Sequence, residues 1–301
     1  MIIDGRLIAD LVNTKSQISL NACTFSRRAK LLLIMIGTKK DSIGYIKQKQ
    51  KQCLEFGIDS DVIYFEEITP IKQVLESIDF ANADAAIDGI IIQMPLPEIF
   101  IKQAFEIYPH QDIPRIVIDR VTPDKDIDGL TTLNIGRYVA AHYHPTTFVP
   151  ATATGVMKIL EYIDYPLENK NVVIIGRSLI VGKPLAMLLL QQNAAVTLLH
   201  SYVTDLSFYT KHADVLISAV GKPNLITKNF VKQGAVVIDV GMTKNSDNKF
   251  VGDVLFDEVK DWASFITPVP GGVGPLTVAF IISNLVKAYI HHNESKTEFS
   301  V

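Results

Sequence analysis

Two glycines, an arginine and a serine between an apolar strand and an apolar helix form the part of this chain best suited to bind an anion. They lie in Asn171–Pro184, NVVIIGRSLIVGKP. Val172 to Ile175 is short and apolar enough for a buried strand. Gly176-Arg177-Ser178 makes a turn, and Gly182 and Pro184 open a helix through LAMLLLQQN. At a helix N-terminus the free backbone N–H groups and the helix dipole both face an incoming phosphate. A second strand, Ala195–Leu199, follows at the distance of a β-α-β unit. The pattern is not G-x-G-x-x-G, because Ser178 stands where the second glycine would be.

The end of that second strand narrows the ligand. An NAD site carries Asp or Glu there to accept from the ribose 2′-hydroxyl. Here the strand ends in His200-Ser201, and Arg177 offers a guanidinium suited to two-pronged phosphate binding. This pairing favours a 2′-phosphate, hence NADP. The alternative is a solvated turn at Arg177 and a plain loop start at Ser201. Val220-Gly221-Lys222-Pro223 and Gly241-Met242-Thr243 stand at the ends of later apolar runs. Open α/β sheets bind ligands at such strand ends.

Elsewhere, Tyr45 and Lys49 are four apart in a helical segment and so stand one above the other. The stretch VTPDKDIDG, 121–129, carries three aspartates and a lysine in a turn-rich setting, which on composition alone favours an ordinary solvated loop. TPVPGGVGPLT, 267–277, reads as a hinge or linker ahead of an apolar helix. The close histidine pairs, His142/His144 and His291-His292, read as surface features. Cys23 and Cys53 lack metal-like spacing, so no metal site is predicted.

The elements that must position these residues follow from length and periodicity. A chain of 301 residues, 48% apolar, suggests two domains with ample cores. A net charge of −3 gives no basic footprint for nucleic acid. No apolar run reaches the ~18 residues of a membrane span, and MIIDGRLIADLVN lacks the basic start of a secretory signal. A soluble cytoplasmic protein is expected. Residues 1–30 read as a helix with Leu7, Ile8, Leu11 and Val12 on one face. A strand at Leu31–Ile36 precedes a helix capped by Asp41 or Ser42 and stopped at Gly57. Val62–Ile68 is a strand, Lys72–Ala81 a helix, and Asp88–Met94 a strand closed by Pro95-Leu96-Pro97. Glu98–Ile107 is helical. Tyr108–Asp119, with two prolines, reads as a loop with a short extended piece. Asn134–His142 and Thr154–Ile163 are helical, with a linker marked by His144-Pro145 and Phe148-Val149-Pro150. Asp214–Ala219, Ala235–Val240 and Phe265–Pro268 continue a parallel sheet, and a long helix over 276–290 leads to a frayed tail. The fold class is α/β.

Five segments, in order over nearly the whole chain, resemble the bifunctional 5,10-methylenetetrahydrofolate dehydrogenase/cyclohydrolases. They are SIGYIKQK (42–49), QMPLP (93–97), KDIDG (125–129), GRS with VGKP (176–184), and PVPGGVGPLT (268–277). The resemblance implies two α/β domains with a cleft between them. Residues 1–148, with a returning helix at about 276–301, would form the folate-binding catalytic domain, and 149–275 a Rossmann-like NADP-binding domain. It implies Lys49 as the catalytic amine, with a pKa brought down from about 10.4. Gln93 would hold that amine, Tyr45 would stack on the folate, and Asp128 would hold the pterin, while Asp126 would tolerate replacement better. Pro270, Gly271 and Gly272 would pass close to the folate. Gly176, Arg177, Ser178, Ser201, Val240, Gly241 and Thr277 would hold NADP. The implied enzyme is a cytoplasmic homodimer acting on tetrahydrofolate derivatives in one-carbon metabolism and purine biosynthesis, with no metal, nucleic acid or membrane. A monofunctional dehydrogenase and a non-catalytic NADP-binding regulator are the alternatives. Tyr45, Lys49, Gln93 and Asp128 together argue against the regulator, which needs none of them. One departure is Pro150-Ala151-Thr152-Ala153-Thr154-Gly155, where the family has P-C-T-P-x-G. Another is the segment between Pro97 and Pro123, longer than in the family, which bears on the folate entrance.

Overall fold

Short uninterrupted runs of Val, Ile and Leu become parallel strands buried on both faces. The computed structural model describes residues 1–141, 144, 146–245, 247 and 249–297, with the backbone alone at 40, 41 and 295–297. Through the first half the elements are α1 (Gly5–Asn21), β1 (Lys30–Ile36), α2 (Lys40–Glu55), β2 (Asp59–Phe65), α3 (Ile71–Ala83) and β3 (Gly89–Ile92). There follow α4 (Glu98–Ile107), α5 (Ile113–Asp119), α6 (Thr132–Val139), α7 (Ala151–Tyr162), β4 (Asn171–Ile175) and α8 (Gly182–Leu190). The rest are β5 (Ala195–Leu199), α9 (Leu206–Thr210), β6 (Val215–Ser218), β7 (Val236–Asp239), β8 (Thr243–Lys244), β9 (Phe250–Val251), α10 (Phe256–Val259), β10 (Phe265–Ile266) and α11 (Val273–Thr297).

Two compact units result. The first takes Met1–Asn13 and Pro150–Phe280, the second Thr14–Val149 and the chain from Ile281 onward. The first thirteen residues, placed by sequence with the N-terminal half, thus pack in the first unit. There the Ile3 amide donates to the Ile266 carbonyl at 2.8 Å. Of the apolar face expected on α1, Ile8 and Val12 are buried while Leu7 and Leu11 are exposed. At 100° per residue only one of the two pairs can point straight at a core.

In the first unit the strand order is β10-β7-β6-β4-β5, all parallel. From β4 the chain steps to β5 on one side and later to β6 on the other. The C-terminal end of β4 is therefore the topological switch point where such sheets bind ligands. Val156, Ile159 and Leu160 of α7 and Leu185 and Leu189 of α8 cover Val172, Ile174 and Ile217.

The second unit has the order β2-β1-β3, also parallel. Val74 and Ile78 of α3, Phe100 of α4 and Val117 of α5 pack on Leu32, Ile34, Ile90 and Ile92. Here the sequence reading needs correction. Ile113–Asp119 is a helix, not a loop with an extended piece. Pro114 falls in its first turn, where no intrahelical N–H is required, and Asp112 caps it by accepting from the Arg115 amide at 3.1 Å. Strand β2 lies three residues earlier than expected, because it is a half-exposed edge whose pattern is weakly apolar. Helix α2 begins at Lys40 with Lys39 as its cap, which makes no side-chain bond, and Ser42 lies inside it. The Asp41 side chain is outside the described residues, as are His142 and Pro145 of the expected linker region. Helix α6 stops at Val139, where Ala141 turns into the left-handed region at φ 52°.

Helix α11 begins earlier and runs later than expected. Contrary to the sequence reading, its stretch Val273–Glu294 is long and apolar enough to span a bilayer. Its apolar residues are core residues: Leu285, Val286, Ala288 and Tyr289 are buried in the second unit. Nor is His292 a surface feature. Its Nδ1 lies 3.3 Å from Asp88 and its Nε2 3.3 Å from Asp124. Burial opposes charge on this imidazole, but the two carboxylates together hold its pKa above the usual histidine value.

Candidate functional site

At the end of β4 the chain turns through Gly176, whose φ is +116°. A Cβ at Gly176 would stand 2.3 Å from the Ala219 carbonyl oxygen, and one at Gly182 would stand 1.8 Å from that of Gly176. The two glycines are therefore required for the turn to close onto the start of α8. This explains a tight strand-to-helix turn without the G-x-G-x-x-G spacing. Ser178 accepts from the Val181 amide at 3.1 Å, bracing the loop before α8. The Gly176 amide donates to the Leu199 carbonyl at 2.9 Å, joining the turn to the end of β5. Arg177 and Ser201 are both exposed there. The next carboxylate along, Asp205, caps α9 by accepting from Phe208 N at 3.1 Å and Ser207 Oγ at 2.7 Å. No acidic side chain from this segment is thus directed at a ribose. The arginine, the exposed serine and the glycine turn fit a dinucleotide carrying a 2′-phosphate.

Val240 and Gly241 follow β7. The Val240 amide donates to the Ser218 carbonyl at 2.8 Å. Two buried carboxylates that the sequence reading missed hold this region. Asp253 accepts from Val220 N and Lys222 N, each at 2.8 Å, and from Ser218 Oγ at 2.9 Å. Asp239 accepts from Gly241 N at 2.9 Å, Asp253 N at 3.0 Å and Val254 N at 2.8 Å. Burial pushes the pKa of Asp239 up to about 7. The available signal was Gly241 and Gly252, since a Cβ at either would fall about 2 Å from one of these carboxylates. Thr277 on α11 shares a hydroxyl hydrogen bond with Thr152 at 3.1 Å.

The loop bearing Pro270, Gly271 and Gly272 belongs to the first unit. The close approach its glycines permit is to the chain itself. Gly271 O accepts from the Gly5 amide at 2.9 Å, and a Cβ on Gly5 would meet Gly272 O at 1.8 Å.

In the second unit Lys49 and Gln93 meet as expected. Lys49 Nζ donates to Gln93 Oε1 at 3.1 Å, and Gln93 Nε2 donates to the Met94 carbonyl at 2.8 Å. The second bond fixes the amide so that its oxygen faces the lysine. Gln93 is seated at the end of β3 by its own amide, which donates to Ile34 O at 2.8 Å. Ile46 and Cys53, three positions before and four after Lys49, are fully buried. Burial lowers the pKa of Lys49, against the opposing charge of Asp128. Burial likewise raises that of Asp128, which Lys49 counters. Tyr45, one turn before Lys49, remains 42% exposed.

The loop that carries Asp128 is clamped from several sides. Asp126, buried, accepts from Leu130 N at 3.1 Å, Thr131 N at 2.8 Å and Asn134 Nδ2 at 2.9 Å. Burial nevertheless pushes its pKa up to about 6. Lys125 donates to the carbonyls of Ala81, Asn82 and Asp84, closing the end of α3. Asn284 of α11 donates to Ile127 O at 2.9 Å and Val149 O at 3.3 Å. Asp126 is therefore the more tightly tied of the two aspartates. Among the described residues no group of three or more His, Cys, Asp or Glu could hold a metal ion.

A parallel sheet with a glycine turn at its switch point, in one chain with a second α/β unit that carries a half-buried, amide-held lysine, defines a two-domain α/β protein of the nucleotide-binding class. The chain belongs to the tetrahydrofolate dehydrogenase/cyclohydrolase family: the model of the family's catalytic domain matches residues 3–128, and that of its NAD(P)-binding domain residues 150–293. It is 44% identical to the bifunctional protein FolD of Staphylococcus aureus over 86% of this chain and 85% of that one. Among solved structures it resembles the bifunctional FolD of Campylobacter jejuni, with a TM-score of 0.88 and 35% identity over 97% of this chain and 99% of that one. The FolD of Trypanosoma brucei, solved with NADP and an inhibitor, matches with a TM-score of 0.86 and 31% identity over 97% of each chain. The motif resemblance thus holds over the full chain, and the protein is an enzyme of this bifunctional class.

Proposed function

We propose that the protein oxidises 5,10-methylenetetrahydrofolate with NADP and hydrolyses the resulting methenyl compound to 10-formyltetrahydrofolate, with Lys49 as the proton carrier of the second step. The observation that carries this reading is the half-buried Lys49, whose Nζ lies 3.1 Å from Gln93 Oε1 and within the field of Asp128. Bound NADP supplies the hydride acceptor. Arg177, Ser178 and Ser201 hold its phosphates, with Gly176, Val240, Gly241 and Thr277 shaping the rest of its site in the first unit. The folate belongs to the second unit, where Lys49, Gln93 and Asp128 lie.

The chain's own chemistry concerns position and protons. Tyr45, exposed beside Lys49, stacks on the folate, and Asp128 accepts ring N–H groups of the pterin. Hydride loss from the methylene carbon needs that geometry and removes no proton from carbon. In hydrolysis, water adds to the methenyl carbon and gives up a proton to the Lys49 amine. The carbon–N5 bond then breaks as N5 takes that proton from the lysine, and the hydroxyl left on the carbon releases its own proton to solvent as the formyl C=O forms. A lysine lowered by burial is partly neutral at a pH where an exposed lysine is fully charged, so it can perform both halves. Gln93 accepts from the amine and keeps it aimed. With this function goes a cytoplasmic homodimer whose formyl product serves purine biosynthesis, and sizing of the purified protein checks the dimer.

The deciding experiment incubates purified protein with methylenetetrahydrofolate and NADP while following NADPH and the methenyl chromophore separately. NADPH should form, and the methenyl signal should decay faster than it does spontaneously. NADPH formation with only spontaneous methenyl decay would leave a dehydrogenase alone. No NADPH at all would sink the reading.

A further inference from the structure

Tyr202, directly after His200-Ser201, has 80% of its surface exposed, an unusual place for an aromatic ring with no task. It is not idle. The Arg177 guanidinium carbon lies 5.6 Å from the centre of the Tyr202 ring, inside the ~6 Å range of a cation–π contact. The ring's own position is fixed locally. Tyr202 N donates to His200 Nδ1 at 3.3 Å, Val203 N donates to His200 O at 3.0 Å, and the His200 and Tyr202 rings meet edge to face at 6.0 Å. The Gly176–Leu199 backbone bond holds the two turns side by side.

We infer that Tyr202 is a specificity-determining positioning residue, which holds the Arg177 guanidinium in place for the 2′-phosphate of NADP. The inference rests on the proposed role of Arg177. A free arginine loses considerable side-chain freedom when it grips a phosphate. The contact with the ring removes part of that freedom beforehand. The benefit goes only to a ligand with a phosphate at that place, so NAD gains nothing. Asp205, the next carboxylate after Ser201 in the chain, is committed to capping α9.

The test is calorimetric titration of the full chain, without folate, with NADP, NAD and the fragment 2′,5′-ADP. Tyr202→Ala should weaken NADP and 2′,5′-ADP by about two- to fivefold, the worth of an exposed cation–π contact, and leave NAD unchanged. Tyr202→Phe should keep wild-type affinities, since it keeps the ring. In an Arg177→Ala background, Tyr202→Ala should have no further effect. Unchanged 2′,5′-ADP binding in Tyr202→Ala overturns the inference. So does an equal loss for NAD, or an additive double mutant, because the ring would then act on the ligand and not through Arg177. A different result, wild-type protein binding NAD as tightly as NADP, would instead remove the 2′-phosphate reading on which the inference stands.

Discussion

The turn after β4 and the lysine site on α2 are built on opposite plans. In the first, backbone does most of the work. Gly176 and Gly182 let the chain close on itself, Ser178 braces the loop through a main-chain amide, and Arg177 and Ser201 stand in solvent. In the second, side chains do the work from within the protein. Lys49 and Asp128 are pushed off their ordinary pKa values by burial, Gln93 is held by the Met94 carbonyl, and Cys53 and Ile46 are fully enclosed. An anion needs preset N–H groups and a positive edge, both of which survive in water. A proton carrier near neutral pH needs desolvation, which only burial gives a lysine. The two plans should therefore fail in different ways.

The largest effect is expected at Lys49. Lys49→Met keeps the length and apolar character of the side chain but cannot carry a proton. Hydrolysis of methenyltetrahydrofolate, corrected for the spontaneous rate, should fall ~10²–10⁴-fold, while NADPH formation survives in part through Tyr45 and Asp128. The pH profile sharpens the point. A lysine with a lowered pKa loses its proton below 10.5, so wild-type hydrolysis should show an ionisation in that range that Lys49→Met lacks. Wild-type hydrolysis by the variant would remove Lys49 from the mechanism.

The second effect separates two aspartates two residues apart. Asp126→Ala leaves the buried Leu130 and Thr131 amides without their acceptor and takes one of two acceptors from Asn134 Nδ2, at roughly 1–3 kcal/mol for each orphaned group. Thermal or urea unfolding should register a loss of about 3 kcal/mol. Asp128→Ala strands no such donors and relieves a carboxylate whose burial opposes its charge. It should unfold nearly as the wild type does and yet lose both activities. If the two variants lose stability equally, the loop has no division between a structural and a working aspartate.

Much of this could be read from the sequence, and the failures have physical causes. Lys49, Tyr45 and Gln93 were legible chiefly through the resemblance of their segments to the family, with helical spacing and a strand end then fixing where they stand. The nucleotide turn was legible because strand, glycine and helix leave a pattern of fixed length. The clamping role of Asp126 was hidden because its three donors, at Leu130, Thr131 and Asn134, are brought to it only by the folded loop. Asp239 and Asp253 were passed over for a similar reason, since their partners lie on several different strands and loops. The helix over Ile113–Asp119 was lost to a rule about proline that does not hold in a first turn. Tyr202 was invisible because its meaning lies in a contact across two turns.

The smallest effect is expected at Lys51, two residues from Lys49 on the same helix. Its Nζ lies 3.8 Å from Glu55, with the two side chains 77% and 50% exposed. An exposed pair four apart is worth about 0.3–0.5 kcal/mol in favourable cases. Here the lysine precedes the glutamate, the weaker orientation, and Glu55 sits in the last turn of α2, where the helix dipole disfavours an acid. Lys51→Gln should therefore change unfolding stability by a few tenths of a kcal/mol at most, in either direction, and leave both activities at wild-type rates. The informative quantity is the contrast with Lys49→Met, which differs in burial far more than in position along the chain. If Lys51→Gln depressed methenyl hydrolysis even tenfold, positive charge on α2 as a whole would matter more than the seclusion of one amine. The contrast between a solvated anion site and a buried proton site would then fail at its second half.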